Sequence, residues 1–285
     1  MSPPGGVASP IQTKHMFRSL IFTCLFAAGP LFLSAQPDTL SQYDIKGSSL
    51  FLIEEADLID AYLPRVADLD RSSREELMEQ NVKTYMMPPR RYIRAEDALY
   101  YALASCLEFY VNYDQNYKVN LSPDFIRLSA DGTDLPSLFE TLRESGTISA
   151  AIMDFGSQRI PAGVGATKRY RVNRYFSLFQ SHDRPRQKMM QIRKALQRGN
   201  PVLVMLAVDD SFGELTDQRY YTGGKQHAPQ ARPFCVVGFD EDINSVEVRG
   251  YYGRNWGSNG YLWIDYEDFA EMASAAYVLD MGQTP

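Results

Sequence analysis

Two residue types in this chain could support nucleophilic catalysis, and both are scarce: three cysteines and three histidines. A thiolate attacks a carbonyl carbon once a neighbouring imidazole has taken the thiol proton, so a cysteine and a histidine within hydrogen-bond reach can carry out acyl transfer. Cys106 lies in "ALASCLEFY", Cys235 in "PFCVVGF" and Cys24 in an apolar run near the N-terminus. His15 precedes that run, His182 sits in polar "QSHDRP", and His227 in "GGKQHAPQ". The couple open to catalysis is Cys106 with His227. Each has a plainer reading: cysteines in apolar runs are commonly buried thiols, and a histidine in a polar loop faces solvent. Cys106 and Cys235 could also pair as a disulfide if the chain is exported; the apolar setting of both favours the unpaired reading. The few histidines are far apart and no Cys/His cluster has metal-ligand spacing. Asp209-Asp210 and Asp240-Glu241-Asp242 read as solvated strand ends rather than calcium ligands. "GGVASP" and "AGVGATK" lack the strand-Gly-Lys layout of a phosphate loop. No metal and no cofactor is expected.

The elements that must position these groups change character along the chain. "AEDALYYALASCLEFYVNY" carries apolar residues at three- and four-residue spacing, with Glu96 and Asp97 at its start, which predicts a helix with a partly buried face. "DLPSLFETLRESG" is a second helix, capped by Asp134, with Pro136 in its first turn and Gly146 as its stop. "RQKMMQIRKALQRGN" is a third, ended by Gly199-Asn200. Between residue 80 and the first helix, "MMPPRRYIR" is a non-helical connector because of its two prolines. "PVLVMLAVD", "PFCVVGFDED", "SVEVRGYY" and "GYLWIDYEDF" read as strands separated by Gly, Asn and Asp. Helices first and strands second imply an α+β fold, a helical lobe followed by a sheet or barrel lobe.

At the N-terminus, Lys14 and Arg18 precede "LIFTCLFAAGPLFLSA", which ends in Ser34 and Ala35 before Gln36. A basic start, an apolar middle and a small-residue exit are the layout of a secretory signal peptide over 1–35, with Met16 as an alternative start. A membrane anchor fits less well, since the run is short and holds Pro30. Residues 36–80 read as an N-terminal extension with a short helix capped at Ser72-Ser73. A net charge of −6 without long like-charge runs gives no nucleic-acid surface. The chain is expected to be exported to a periplasmic or extracellular space, with no membrane attachment after cleavage.

The order of these segments resembles the papain-like (C1) cysteine peptidases over roughly residues 81–280. "GYYGRNWGSNGYLWIDYEDF" is similar to the family's N-S-W-G-x-x-W-G-x-x-G-Y stretch, with Gly253, Trp256, Gly257, Gly260 and Tyr261 in register. "ARPFCVVGFDED" looks like its H-A-x-x-V-V-G-Y-D-D strand. "IRKALQRGNPVLVMLAVDDSF" resembles its helix-Gly-x-Pro-Val-strand unit, and "LSPDFI" the segment after its central helix. The resemblance implies a two-lobe fold, with a helical lobe at about 81–160 built on a long central helix and an antiparallel β-sheet or barrel lobe at about 161–285.

It also fixes where the chemistry would sit. The family holds a cysteine at the N-terminus of the central helix, where dipole and histidine lower the thiol pKa, and a glutamate ten residues later. Glu108 supplies that glutamate if the nucleophile position is Ala98, ten residues before it. Cys106 then lies about three turns inside a helix that starts at Ala95. Counting back from Val236-Val237-Gly238 puts the histidine position at Arg232, which cannot be deprotonated to act as a base. His227 falls five residues too early. The orienting asparagine maps to Gly250 and the oxyanion-stabilising glutamine to Tyr92, a loss of donors aimed at the developing charge.

The resemblance therefore implies a peptidase homologue whose catalytic positions hold Ala98, Arg232 and Gly250: a pseudopeptidase kept as a peptide- or protein-binding module. Tyr92, Tyr100, Arg232, Tyr251 and Tyr252 are the residues expected to line its inter-lobe cleft, residue types common at contact surfaces. Arg232 is expected to reach Asp97 or Glu96 across the cleft. The alternatives are a divergent active endopeptidase using Cys106 and His227, and an inhibitor or chaperone of an active relative.

Overall fold

The computed structural model describes residues 52–67, 79–224 and 227–282, all within one compact unit spanning Gly47–Pro285. The signal-peptide reading over 1–35, the first part of the extension and the Ser72-Ser73 cap lie outside the described residues.

The central helix α2 (Ala98–Gln115) follows a single 3₁₀ turn at Ala95–Asp97 and ends at Asn116, whose φ of 51° is left-handed. Every residue from Tyr100 to Phe109 is buried. The expected one-sided burial is thus too modest: α2 is enclosed by both lobes, as a helix apolar nearly all round must be. Before it, α1 (Ala56–Tyr62) is short; after it come α3 (Pro123–Ser129) and α4 (Leu135–Glu144). Ser122 and Asp134 accept the amides of Phe125 and Ser137, and a proline opens each helix. Phe125, Ile148 and Met153 form a small core beneath α3.

The second lobe is a sheet of eight strands: β1 (Leu52–Ile53), β2 (Glu79–Asn81), β3 (Arg174–Gln180), β4 (Val202–Val208), β5 (Gln230–Asp240), β6 (Ser245–Arg249), β7 (Tyr261–Asp265) and β8 (Ala273–Asp280). Its order is β1-β3-β8-β4-β5-β6-β7, with β2 added to β5; among the strand pairs of the described residues, only β1–β3 is parallel. Helix α5 (Pro185–Gln197) packs on β3 and β5, and α6 (Tyr266–Met272) bridges β7 and β8. The segment read as a strand through Phe269 is β7 followed by α6, because the Asp265 carboxylate accepts the Glu267 amide and starts a helix there.

The boundary expected between extension and domain, at 80/81, falls inside β2. The described part of the extension is stitched into the β lobe. Glu79, Gln80 and Asn81 pair with Asp240, Phe239 and Gly238. Asn200 Nδ2 donates to the Pro64 carbonyl at 2.6 Å, and Lys194 pairs with Asp60.

Candidate functional site

The start of α2 is held by charge rather than by a side-chain cap. Asp97 is buried, and its carboxylate accepts from Arg94 Nη2 at 2.8 Å and Nε at 3.0 Å. Arg127 Nε on α3 stands 3.8 Å from it, while Arg127 Nη2 binds Asp124 at 2.8 Å and the Ser157 carbonyl at 2.7 Å. This bracket fixes the direction in which the first turn of α2 emerges. The connector from Met86 to Arg94 is non-helical, as its prolines require, and runs beside the segment after β6: the Tyr92 amide donates to the Tyr251 carbonyl at 3.0 Å.

Between these elements lies a cleft of about 370 Å³ whose walls include Tyr92, Glu96, Ala98, Met205, Arg232 and Tyr252. Ala98 is the first residue of α2 and Arg232 the third of β5, so two distant segments converge on one space. Among the described residues, no cysteine and no histidine lines it.

Arg232 does not reach Asp97 or Glu96. Asp97 is taken by Arg94 and Arg127, and Glu96 lies 3.5 Å from Arg94. Arg232 Nη2 instead pairs with Asp210, and its Nε is buried without a hydrogen-bond partner among the described residues. Asp210 was missed because it stands 22 residues away; the β4–β5 register, Leu206 opposite Arg232 and Val208 opposite Gln230, brings it near. Asp209, read as a solvated strand end, is buried and accepts from the Ser211 amide, the Ser211 hydroxyl and the His227 amide.

The tyrosines divide. Tyr92 and Tyr252 meet edge to face at 5.6 Å, and Tyr252 continues into Trp256 and Phe234. Burial pushes the Tyr252 hydroxyl up to about 12, with Tyr92 adding and Arg232 opposing, so it remains a proton donor at neutral pH. Tyr251 borders the cleft but is itself buried, beside Arg249, Cys235 and Cys106. Tyr100 is buried on α2 and is not part of the cleft wall. Tyr100 is thus a correction to the expected cleft set, whereas Tyr251 lies in the lining as expected.

Gly250 lies under the Trp256 ring, where a Cβ would meet Cζ3 at 2.5 Å. The indole Nε1 donates to the Phe212 carbonyl at 2.7 Å, which locks the ring over the glycine.

The Cys106–His227 couple is not assembled. Cys106 is a little over two turns into α2, fewer than expected because the α-helix proper begins at Ala98. Its Sγ is 3.8 Å from Cys235 Sγ on β5; both thiols are buried and free. That contact, then burial, pushes the Cys106 thiol well up, away from a reactive thiolate. His227 is exposed in a loop whose amide is tied to Asp209. His182 is exposed after β3. Glu108, buried, accepts the Leu121 amide at 2.9 Å and so links α2 to the segment leading into α3.

Solved structures similar to this chain include cysteine proteases. Xylellain from Xylella fastidiosa has a TM-score of 0.58 at 16% identity, over 78% of this chain and 96% of its own. The Carica candamarcensis protease CMS1MS2, solved with E-64, has 0.59 at 13%, over 72% and 99%. Procathepsin L 3 of Tenebrio molitor larval midgut has 0.58 at 16%, over 79% and 78%. No protein-family model and no curated protein matches the sequence. The chain has the papain-like fold.

Proposed function

We propose that this chain is an exported papain-fold protein without peptidase activity, whose inter-lobe cleft binds a peptide or a segment of another protein. The observation that supports this reading most is the composition of the cleft: Ala98 and Arg232 occupy the space that the papain-like resemblance gives to nucleophile and base. An alanine has no nucleophile, and a guanidinium does not accept a proton at working pH. Aromatic walls and an arginine are instead the residue types that anchor peptide contacts.

The test uses the protein secreted with its own N-terminus. N-terminal sequencing of secreted protein reports whether a leader ending near Ala35 is removed. A quenched fluorescent peptide mixture reports hydrolysis, and iodoacetamide followed by mass spectrometry reports reactive thiols. No turnover and no native labelling of Cys106 is the expected result. Turnover abolished by Cys106→Ala or His227→Ala would replace this reading with that of a divergent peptidase.

A further inference from the structure

We infer that the cleft recognises a carboxylate on its peptide ligand, with Arg232 as the clasp; this rests on the cleft being a peptide site. Arg232 is largely enclosed, its side chain 20% exposed, yet its fork is half used. Nη2 meets Asp210, and Nε has no partner among the described residues. Those two nitrogens form the side-on face with which a guanidinium takes a carboxylate through two parallel hydrogen bonds. Asp210 satisfies only one of them, and its side chain is 93% exposed. Ion pairs to so solvated a partner are weak and screened by salt. A ligand carboxylate entering from the cleft displaces Asp210 from Nη2 and takes Nε as well once the guanidinium turns toward the cleft, since Nε is closed to solvent in this structure.

The surroundings fit that exchange. Tyr252 keeps its proton and lines the same cleft as Arg232, which places a second donor on that wall. Tyr92 and Met205 offer apolar surface for the residue beside the carboxylate. The opposing charge in the lining is Glu96, which is exposed and has Arg94 at 3.5 Å. The carboxylate has two chemical sources, a free C-terminus or an Asp or Glu side chain.

The discriminating experiment passes three synthetic N-acetyl hexapeptide mixtures over immobilised full-length protein and quantifies retention by mass spectrometry. One mixture is acid-free with free C-termini, one acid-free with C-terminal amides, and one amidated but containing Asp and Glu. Retention of the first or third at least tenfold above the second supports the clasp and identifies the source. Arg232→Gln is expected to lower that retention by about tenfold to a hundredfold, the range for a hydrogen bond to a charged group. Asp210→Asn, at an exposed position where folding is not at stake, is expected to raise it severalfold. Equal retention of all three mixtures with neither variant changing it overturns the clasp and leaves a peptide site. Retention of none overturns the peptide site itself.

Discussion

The Trp256 indole lies over Gly250 so closely that a Cβ on the glycine would stand 2.5 Å from Cζ3 and 2.7 Å from Cε3. Position 250 therefore admits no side chain while the indole keeps its bond to the Phe212 carbonyl. Gly250→Ala is expected to cost about 1–3 kcal/mol through overpacking, and Gly250→Asn more. Urea midpoints would show this, with a shift in tryptophan emission. An Asn variant as stable as the parent would mean that the indole moves freely.

Cys106 and position 98 should behave oppositely toward thiol reagents. The native protein is expected to resist iodoacetamide at both Cys106 and Cys235, since both sulfurs are buried and in mutual contact. Both should label in denaturant. Ala98→Cys introduces a thiol at the half-exposed first residue of α2, facing the cleft that holds Arg232. A helix N-terminus and a nearby cation stabilise the thiolate, so this cysteine should label within minutes at pH 7 while Cys106 stays silent. Native labelling of Cys106 at a comparable rate would contradict its placement.

Trp256→Phe is expected to cost about 2–4 kcal/mol. It removes ring volume from the cluster with Phe212, Phe234 and Tyr252. It also strands the buried Phe212 carbonyl, which accepts only as long as an indole N–H is present. Chemical denaturation measures the loss. A variant within 0.5 kcal/mol of the parent, about the scatter of surface changes, would show that the cluster repacks without cost.

What the sequence made legible follows from how local the signal was. The helices α2, α4 and α5 were readable because spacing, caps and stop glycines lie within one segment: Asp134 accepting the Ser137 amide and Gly199 at a φ of 80° are local events. Strand β8, "ASAAYVLD", was not read. Its three alanines carry little strand preference, and it forms because β3 and β4 flank it. Strand β3 was missed as well. Around the cleft, Ala98, Arg232, Tyr92 and Tyr252 were reachable because the fold resemblance fixes a register from Glu108 and Val236-Val237-Gly238. The Arg232–Asp210 pair was not, since which carboxylate an arginine meets depends on strand pairing. Tyr100 was misassigned to the cleft wall for a related reason: position along the chain does not say which way a ring turns.

Glu108 gives a pH signature of the joint between α2 and α3. Burial raises its pKa from 4.5 to about 7, opposed by Arg249, the Leu121 amide and Arg90. The folded protein therefore holds this proton across a window in which the unfolded chain has lost it. Stability linked to Glu108 is full below pH 4.5, declines as pH rises toward 7, and is flat beyond. The decline approaches about 3 kcal/mol at roughly 1.4 kcal/mol per unit. Glu108→Gln copies the protonated side chain and keeps an oxygen for the Leu121 amide. Parent and variant should have similar urea midpoints near pH 5 and diverge by pH 8, the variant being the more stable. Their difference isolates Glu108 from the other titrating groups. Parallel curves across that range would mean that Glu108 is ionised throughout, its charge held by Arg249 and Arg90.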